Sequence, residues 1–160
     1  MLFKEVMHTS FHTDKYDEMI DFYCNKLGCK QKVVVRWKDY KGNVNRPENA
    51  KKAETDPEGI YYTYIEIAPG QFIELFPANG KLEPHDVKWN QRCGYSHIAL
   101  MVDDIYEIRK QLLERGITPD TDISKGPSGT YQMWLHDPDG NRFECMQYTD
   151  ESWQVVGHIS

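Results

Sequence analysis

Two histidines and two glutamates, far apart in a chain of 160 residues, are the side chains whose types and positions best suit metal chemistry. His8 and His97 each lie in an alternating segment that predicts a β-strand. Glu74 and Glu144 each lie four positions after a turn glycine, in the outgoing strand of a predicted hairpin. Two neutral imidazoles and two carboxylates form an N₂O₂ donor set that neutralises a divalent cation.

This donor set accepts zinc, nickel, cobalt, iron or manganese as the divalent ion. Without a cation, two facing carboxylates would repel each other, and one of them would take up a proton. Each residue also has a simpler interpretation, because a strand histidine is often a hydrogen-bonded core residue and Glu144 could be an exposed strand carboxylate. The matched positions of both pairs in two halves of the chain favour the metal site.

The two halves share one predicted order of elements, namely strand, helix, strand and hairpin. Aligning the two histidines also aligns the aspartates that precede each helix, and aligning the two glutamates also aligns their turn glycines. A duplicated unit of this kind can close two sheets around a shared cleft, where the imidazoles and carboxylates would converge. The aligned pairs are His8 with His97, Asp14 with Asp103, Gly70 with Gly140, and Glu74 with Glu144.

In the first half, alternation predicts a strand over residues 3–13. Thr13 or Asp14 is placed to cap the following helix, which Gly28 ends in the usual C′ position. The other strands predicted in this half are 30–37, 60–68 and 71–76.

In the second half, the predicted strand 95–102 carries the second histidine. Asp103 or Asp104 caps the next helix, which ends at Gly116. A hairpin over residues 134–148 follows, with a turn rich in Asp, Pro and Gly. The second half therefore repeats the first.

The stretch 37–59 is polar, charge-dense and interrupted by Gly and Pro. It is predicted to be a long excursion with a possible helical turn at 49–53, either a lid over a site or a solvated loop without a role. The predicted domain limits are an N-terminal module at 1–76 that includes this insertion, a connector at 77–94, a C-terminal module at 95–148 and a tail at 149–160.

Composition excludes several classes of partner. The formal charge of −6 argues against nucleic acid or an anionic membrane surface. No apolar run is long enough to span a bilayer, and the N-terminus lacks the apolar core of a signal peptide. The four cysteines show no CxxC spacing, so they are expected to be free thiols in a reducing cytoplasm.

Short motifs around these candidate ligands resemble those of one known superfamily. Besides His8, they are FY at 22–23, LG at 27–28, FIEL at 72–75, HIA at 97–99 and DPDGNRFE at 137–144. Over residues 3–148 the chain resembles the vicinal oxygen chelate (glyoxalase/bleomycin-resistance/dioxygenase) superfamily. The resemblance implies an α+β fold of two βαβββ modules that form a curved mixed sheet around a metal-binding cleft, and it implies a homodimer.

Within that superfamily, the set His8, Glu74, His97 and Glu144 is similar to the bacterial glyoxalase I pattern. The resemblance implies a lyase that isomerises the hemithioacetal of methylglyoxal and glutathione through an enediolate, with nickel or zinc favoured and cobalt, manganese or iron as alternatives. The substrate is then a small molecule, such as a thiol adduct. Proton abstraction beside a carbonyl needs a base and a stabiliser of the oxyanion. Both glutamates are candidates for the base, and family analogy favours Glu144.

Three further residues are candidates for substrate binding. His12 lies on the same strand face as His8 and could line the cavity, or it could simply be a hydrogen-bonded neighbour. Arg36 and Arg92 could bind a substrate carboxylate, although ordinary surface arginines explain them equally well. The alternative functions are another metalloenzyme of the superfamily (an epimerase, a dioxygenase or a thiol transferase) and a non-catalytic binding or resistance protein. A fourth protein ligand, Glu74, argues against the dioxygenase.

Overall fold

The computed structural model describes residues 2, 4–83 and 94–159. The chain divides into two compact units, Met1–Glu83 and Pro84–Ser160. Most of the predicted connector 77–94 lies outside the described residues. In the part of the chain that is described, no helix has both the length and the apolar character needed to cross a bilayer.

The first unit is a four-stranded sheet with a helix on one face. Its strand order is β1-β4-β3-β2, with β1 parallel to β4 and the other neighbours antiparallel. Along the chain the elements are β1 (His8–Thr13), α1 (Tyr16–Ile20), a π-helical segment (Asp21–Lys26), β2 (Lys30–Arg36), a 3₁₀ turn (Trp37–Tyr40), α2 (Pro47–Thr55), β3 (Ile60–Ala68) and β4 (Gln71–Pro77).

The second unit repeats this topology. Its strand order is β5-β8-β7-β6, again with the first strand parallel to the last and the rest antiparallel. The elements are β5 (Ile98–Met101), α3 (Ile105–Glu114), β6 (Ser124–Lys125), β7 (Tyr131–His136), β8 (Arg142–Gln147) and a short α4 (Trp153–Val156). The α+β fold of two βαβββ modules is therefore confirmed.

Each core lies between the helix and one face of its sheet, as the alternation of the strands requires. In the first unit, α1 contacts β4 and the π-helical segment contacts β3, whereas in the second unit α3 contacts β7 and β8. Apolar side chains from these elements are buried: Met19, Phe22, Ile65, Ile73 and Leu75 in the first unit, and Ile105, Leu112, Met133, Leu135, Phe143 and Cys145 in the second. The opposite face of each sheet is not covered by these helices.

The helix caps of the two units differ, although the sequence aligned them. Asp104 caps α3 as predicted, because its carboxylate accepts hydrogen bonds from the backbone N–H groups of Tyr106 and Glu107 at 2.9 and 3.0 Å. The cap of α1 is Lys15, without a side-chain hydrogen bond, so the predicted Thr13 or Asp14 cap is wrong. The Asp14 carboxylate instead accepts a hydrogen bond from the backbone N–H of Leu82 at 2.8 Å.

Three other local predictions need correction. The first strand begins only at His8. His97 lies immediately before β5, because that strand begins at Ile98. The helical turn expected at 49–53 is part of the longer α2, which has Pro47 at its first turn, where a missing N–H costs nothing, and the 3₁₀ turn precedes it in the same stretch.

Candidate metal centre

In the first unit, parallel pairing brings one histidine and one glutamate together. The β1–β4 register places Glu74 opposite Ser10, two residues beyond His8. Ile73 and Leu75 on either side of Glu74 are fully buried in the core, so Glu74 projects from the other face of the sheet. Nε2 of His8 lies 3.4 Å from Oε2 of Glu74.

Two hydroxyl groups surround the Glu74 carboxylate. The Ser10 hydroxyl donates a hydrogen bond to Oε2 of Glu74 at 2.5 Å. Tyr64 lies directly opposite Glu74 on β3, and its ring packs edge-on against His8 with centroids 5.5 Å apart. Burial, followed by a hydrogen bond to Glu74, raises the pKa of Tyr64 to about 12, so the phenol stays protonated and donates to the carboxylate.

The second unit forms the matching pair with the same register. Glu144 lies opposite Ala99, two residues beyond His97, and opposite Trp134 on the other side. Nε2 of His97 lies 3.7 Å from Oε2 of Glu144, and the imidazole packs edge-on against Trp134 with centroids 4.7 Å apart. Nδ1 of His97 lies 3.1 Å from the Ser96 hydroxyl, which leaves Nε2 on the side of the glutamate.

The Glu144 carboxylate is buried and lacks the hydroxyl partners of Glu74. Burial raises the pKa of Glu144 above its ordinary value, although the charges of His97 and Arg142 act in the opposite direction. The guanidinium of Arg142 lies over the Trp134 ring, with Cζ 4.4 Å from the ring centroid. Arg142 is exposed and lies two residues before Glu144 on the same strand face.

The separation of nitrogen and oxygen in each pair fits a shared ion. Two ligands bound at about 2.1 Å to a tetrahedral ion stand about 3.4 Å apart. The observed separations are 3.4 Å in the first unit and 3.7 Å in the second. Within residues 2, 4–83 and 94–159, no three His, Cys, Asp or Glu side chains gather into a group that could hold an ion, and each unit brings together one histidine and one glutamate.

The predicted substrate-binding residues have different outcomes. His12 lies exposed on β1 beside the Phe76 ring, with centroids 5.3 Å apart. Arg36 is already engaged, because its guanidinium donates to the backbone carbonyl of Glu58 and lies 4.0 Å from the Glu58 carboxylate. Arg92 lies outside the described residues.

Sequence reasoning missed three residues around the two pairs, namely Ser10, Tyr64 and Arg142. Arg142 could have been found from alternation alone, because it shares a strand face with Glu144. Ser10 and Tyr64 required the pairing of strands that are distant in sequence, which no local pattern encodes.

Comparisons with known proteins agree with this architecture. The family model of the glyoxalase/bleomycin resistance protein/dioxygenase superfamily matches residues 6–145. A protein of Neisseria meningitidis named lactoylglutathione lyase is 27% identical over 147 residues, which cover 89% of this chain and 89% of that protein. A probable lactoylglutathione lyase of Synechocystis is 24% identical over 153 residues, which cover 89% of this chain and 94% of that protein.

Solved structures extend the similarity to the fold. A glyoxalase family protein from Enterococcus faecalis superimposes with a TM-score of 0.67 at 23% identity, covering 91% of this chain and 99% of that one. A lactoylglutathione lyase from Agrobacterium tumefaciens gives a TM-score of 0.58 at 16% identity, covering 92% and 96%. Because the family model spans most of its length, this chain belongs to the glyoxalase/bleomycin resistance protein/dioxygenase superfamily.

Proposed function

We propose that this chain is a metal-dependent lyase or isomerase of glyoxalase I type, which acts on a thiohemiacetal or a related α-oxygenated small molecule. The observation that carries this proposal is the recurrence of one histidine–glutamate pair, at chelating separation, in both repeats: His8 with Glu74 and His97 with Glu144. The relatives named lactoylglutathione lyase support the same reaction class.

In this proposal the two pairs hold a single divalent ion, with nickel or zinc favoured. Superfamily members generally use divalent metals, which supports the assignment. When bound, the ion supplies Lewis-acid stabilisation of the negative charge that develops on the substrate oxygen. The two neutral imidazoles and two carboxylates complete a neutral site, whereas an additional charge would make the buried arrangement costly.

The chain's own residues then perform the proton transfer. Glu144 takes the proton from the carbon next to the carbonyl and returns it to the adjacent carbon, so that an enediolate separates substrate from product. Burial raises the pKa of Glu144, which strengthens it as a base. Trp134 packs against His97 and carries the Arg142 guanidinium on its ring, which restricts water near the carboxylate.

Arg142 replaces Arg36 as the arginine proposed to contact an anionic group of the substrate. Arg36 has the Glu58 carboxylate as its partner, whereas the Arg142 guanidinium makes no ion pair with any residue that the structure describes. The exposed Arg142 guanidinium lies over the Trp134 ring, which keeps its N–H groups available to a carboxylate. Family members often form dimers, and a homodimer is part of the proposal.

The test is metal content followed by turnover. The purified protein is expected to retain about one divalent ion per chain and to convert methylglyoxal with glutathione to the thioester, in a chelator-sensitive reaction. Other thiols and other α-oxygenated carbonyl compounds are assayed in parallel. If the protein binds the ion but turns over no α-oxygenated substrate, the proposed enzymatic function is contradicted and the alternative, a binding or resistance protein, is favoured.

A further inference from the structure

The two carboxylates at the candidate metal centre are supported unequally, and we propose that Ser10 and Tyr64 are positioning residues that hold Glu74 as a fixed ligand. At the matched positions of the second unit, Ala99 and Trp134 carry no hydroxyl group, which leaves Glu144 as the carboxylate free to move between the ion and the substrate. The inference rests on the proposed function and deepens it, because it assigns different tasks to two residues that the repeat makes equivalent.

Three contacts converge on Glu74 in the first unit. The Ser10 hydroxyl donates to Oε2 of Glu74 at 2.5 Å, and Tyr64 lies directly opposite Glu74 on β3 with its ring against His8. The His8 imidazole lies 3.4 Å from Oε2. A buried carboxylate that accepts a charge-assisted hydrogen bond has few orientations open to it.

The matched positions of the second unit offer no such hydroxyl groups. Ala99 lies opposite Glu144 where Ser10 lies opposite Glu74, and Trp134 takes the position of Tyr64. Among the residues that the structure describes, no hydroxyl group donates a hydrogen bond to the Glu144 carboxylate, whose ion-pair partner is Nε2 of His97 at 3.7 Å.

This difference has a direct chemical consequence. Hydrogen bonds to a ligating carboxylate fix its orientation and tune its affinity for the ion, and removing one typically weakens binding about 10- to 100-fold. A base that takes a proton from one carbon and returns it to the adjacent carbon must instead reach both carbons, which a less restrained carboxylate does more easily. The asymmetry assigns the first task to Glu74 and the second to Glu144.

The experiment exchanges the hydroxyl between the two units of the full-length protein. Ser10→Ala removes it, Ser10→Thr retains it, and Ala99→Ser adds one at the matched position opposite Glu144. Ser10 and Ala99 are both exposed on their strands, so the small changes fit without steric conflict. Each variant is titrated with Zn²⁺ against a chromophoric chelator, and kcat and KM are measured with methylglyoxal and glutathione.

We expect Ser10→Ala to weaken Zn²⁺ binding about tenfold and Ser10→Thr to restore it. We expect Tyr64→Phe to weaken binding as well, because it removes the phenol hydroxyl from the position opposite Glu74. Ala99→Ser should keep at least the wild-type affinity but lower kcat about tenfold with little change in KM, because the new hydroxyl restrains Glu144. A merely structural role for Ser10 would not produce this split.

Two results would overturn the inference: wild-type Zn²⁺ affinity in Ser10→Ala, or an unchanged kcat in Ala99→Ser. Failure of the proposed function has a different signature. If the wild-type protein binds Zn²⁺ but turns over no α-oxygenated substrate, the reaction assignment fails, while the affinities of Ser10→Ala and Ser10→Thr still decide whether Ser10 positions Glu74. A wild-type chain that binds no Zn²⁺ would contradict both.

Discussion

The two repeats agree where an ion would require it and differ everywhere around it. Both place a glutamate of the last strand opposite the residue two positions beyond the histidine, and both bring nitrogen and oxygen within 3.4 or 3.7 Å. The neighbours of the two glutamates have diverged, since Ser10 and Tyr64 in one unit correspond to Ala99 and Trp134 in the other. The two units are therefore alike in the histidine–glutamate pair and unlike in the side chains beside it.

The same contrast extends along the last strands. Phe72, two residues before Glu74, packs its ring 5.7 Å from that of Tyr64. The matched residue before Glu144 is Arg142, whose guanidinium lies on Trp134. The first unit therefore presents an aromatic face beside its glutamate, and the second presents a cation.

Replacing each glutamate in turn by glutamine should produce the largest difference between the two repeats. Glu144→Gln is expected to lower kcat by about 10²- to 10⁴-fold while Zn²⁺ is still bound, because it removes the base. Glu74→Gln should mainly weaken Zn²⁺ binding. Turnover and chelator competition, measured on the same preparations, separate the two effects. Equal losses of affinity and kcat in both variants would mean that the two carboxylates share one role.

The turns of the two hairpins should respond differently to mutation. The turn before Glu144 is held by Asp137, a buried carboxylate that accepts hydrogen bonds from Asp139 N–H at 3.0 Å and from Asn141 N–H and Nδ2 at 2.9 and 3.0 Å. Asp137→Ala is expected to lower the free energy of unfolding by about 3 kcal/mol, since charge-assisted hydrogen bonds and a buried group are lost together.

The matched control lies in the other turn, where Ala68 pairs with Gln71 across Pro69 and Gly70. Pro69→Ala leaves the strand pairing intact and should change the free energy of unfolding much less. Urea titration followed by far-UV circular dichroism measures both variants. A similar, small effect in the two variants would show that the Asp137 hydrogen bonds are not needed to hold the second turn.

The guanidinium of Arg142 in the second unit is expected to affect substrate binding more than turnover. Arg142→Met keeps a long apolar side chain over Trp134 but removes the N–H donors. We expect KM for an anionic substrate to rise about tenfold, as expected for a lost charge-assisted hydrogen bond, with kcat nearly unchanged. Phe72→Leu, at the matched position of the first unit, is the control. An Arg142→Met variant with unaltered KM would remove the anion contact from the proposal.

The smallest expected difference concerns the helix caps. Asp104→Ala should destabilise the protein by about 1 kcal/mol, because two backbone N–H groups at the start of α3 lose their acceptor. Asp14→Ala removes no cap, since the Asp14 carboxylate contacts Leu82 instead. Its cost should therefore be smaller, as measured by thermal unfolding. A larger loss in Asp14→Ala than in Asp104→Ala would reverse this comparison.

Features with a local signal could be predicted from the sequence. The β3–β4 and β7–β8 hairpins follow from turn residues that separate alternating segments, and the α+β repeat follows from the order of the elements. The resemblance carried by DPDGNRFE at 137–144 and FIEL at 72–75 identified the superfamily, which the family model confirms. Glu74 and Glu144 could be named because both follow a turn glycine at the same distance.

Features that depend on distant partners could not be predicted. Asp14 has the composition of a cap, but the backbone of Leu82 competes for its carboxylate. Arg36 has the chemistry of a substrate ligand, but Glu58, 22 residues later, occupies its guanidinium. Strand register likewise decides that a hydroxyl faces one glutamate and a methyl group faces the other. Such competition is invisible in a local pattern.

The central claim is that the two histidine–glutamate pairs bind one ion together, and ion stoichiometry tests it most directly. Titration of the metal-free protein with Zn²⁺ is expected to give one ion per chain, and either His8→Ala or His97→Ala should lower the affinity of that single site by at least about tenfold. Two independent ions per chain would contradict a shared site, if each histidine variant loses one of them and leaves the other unchanged.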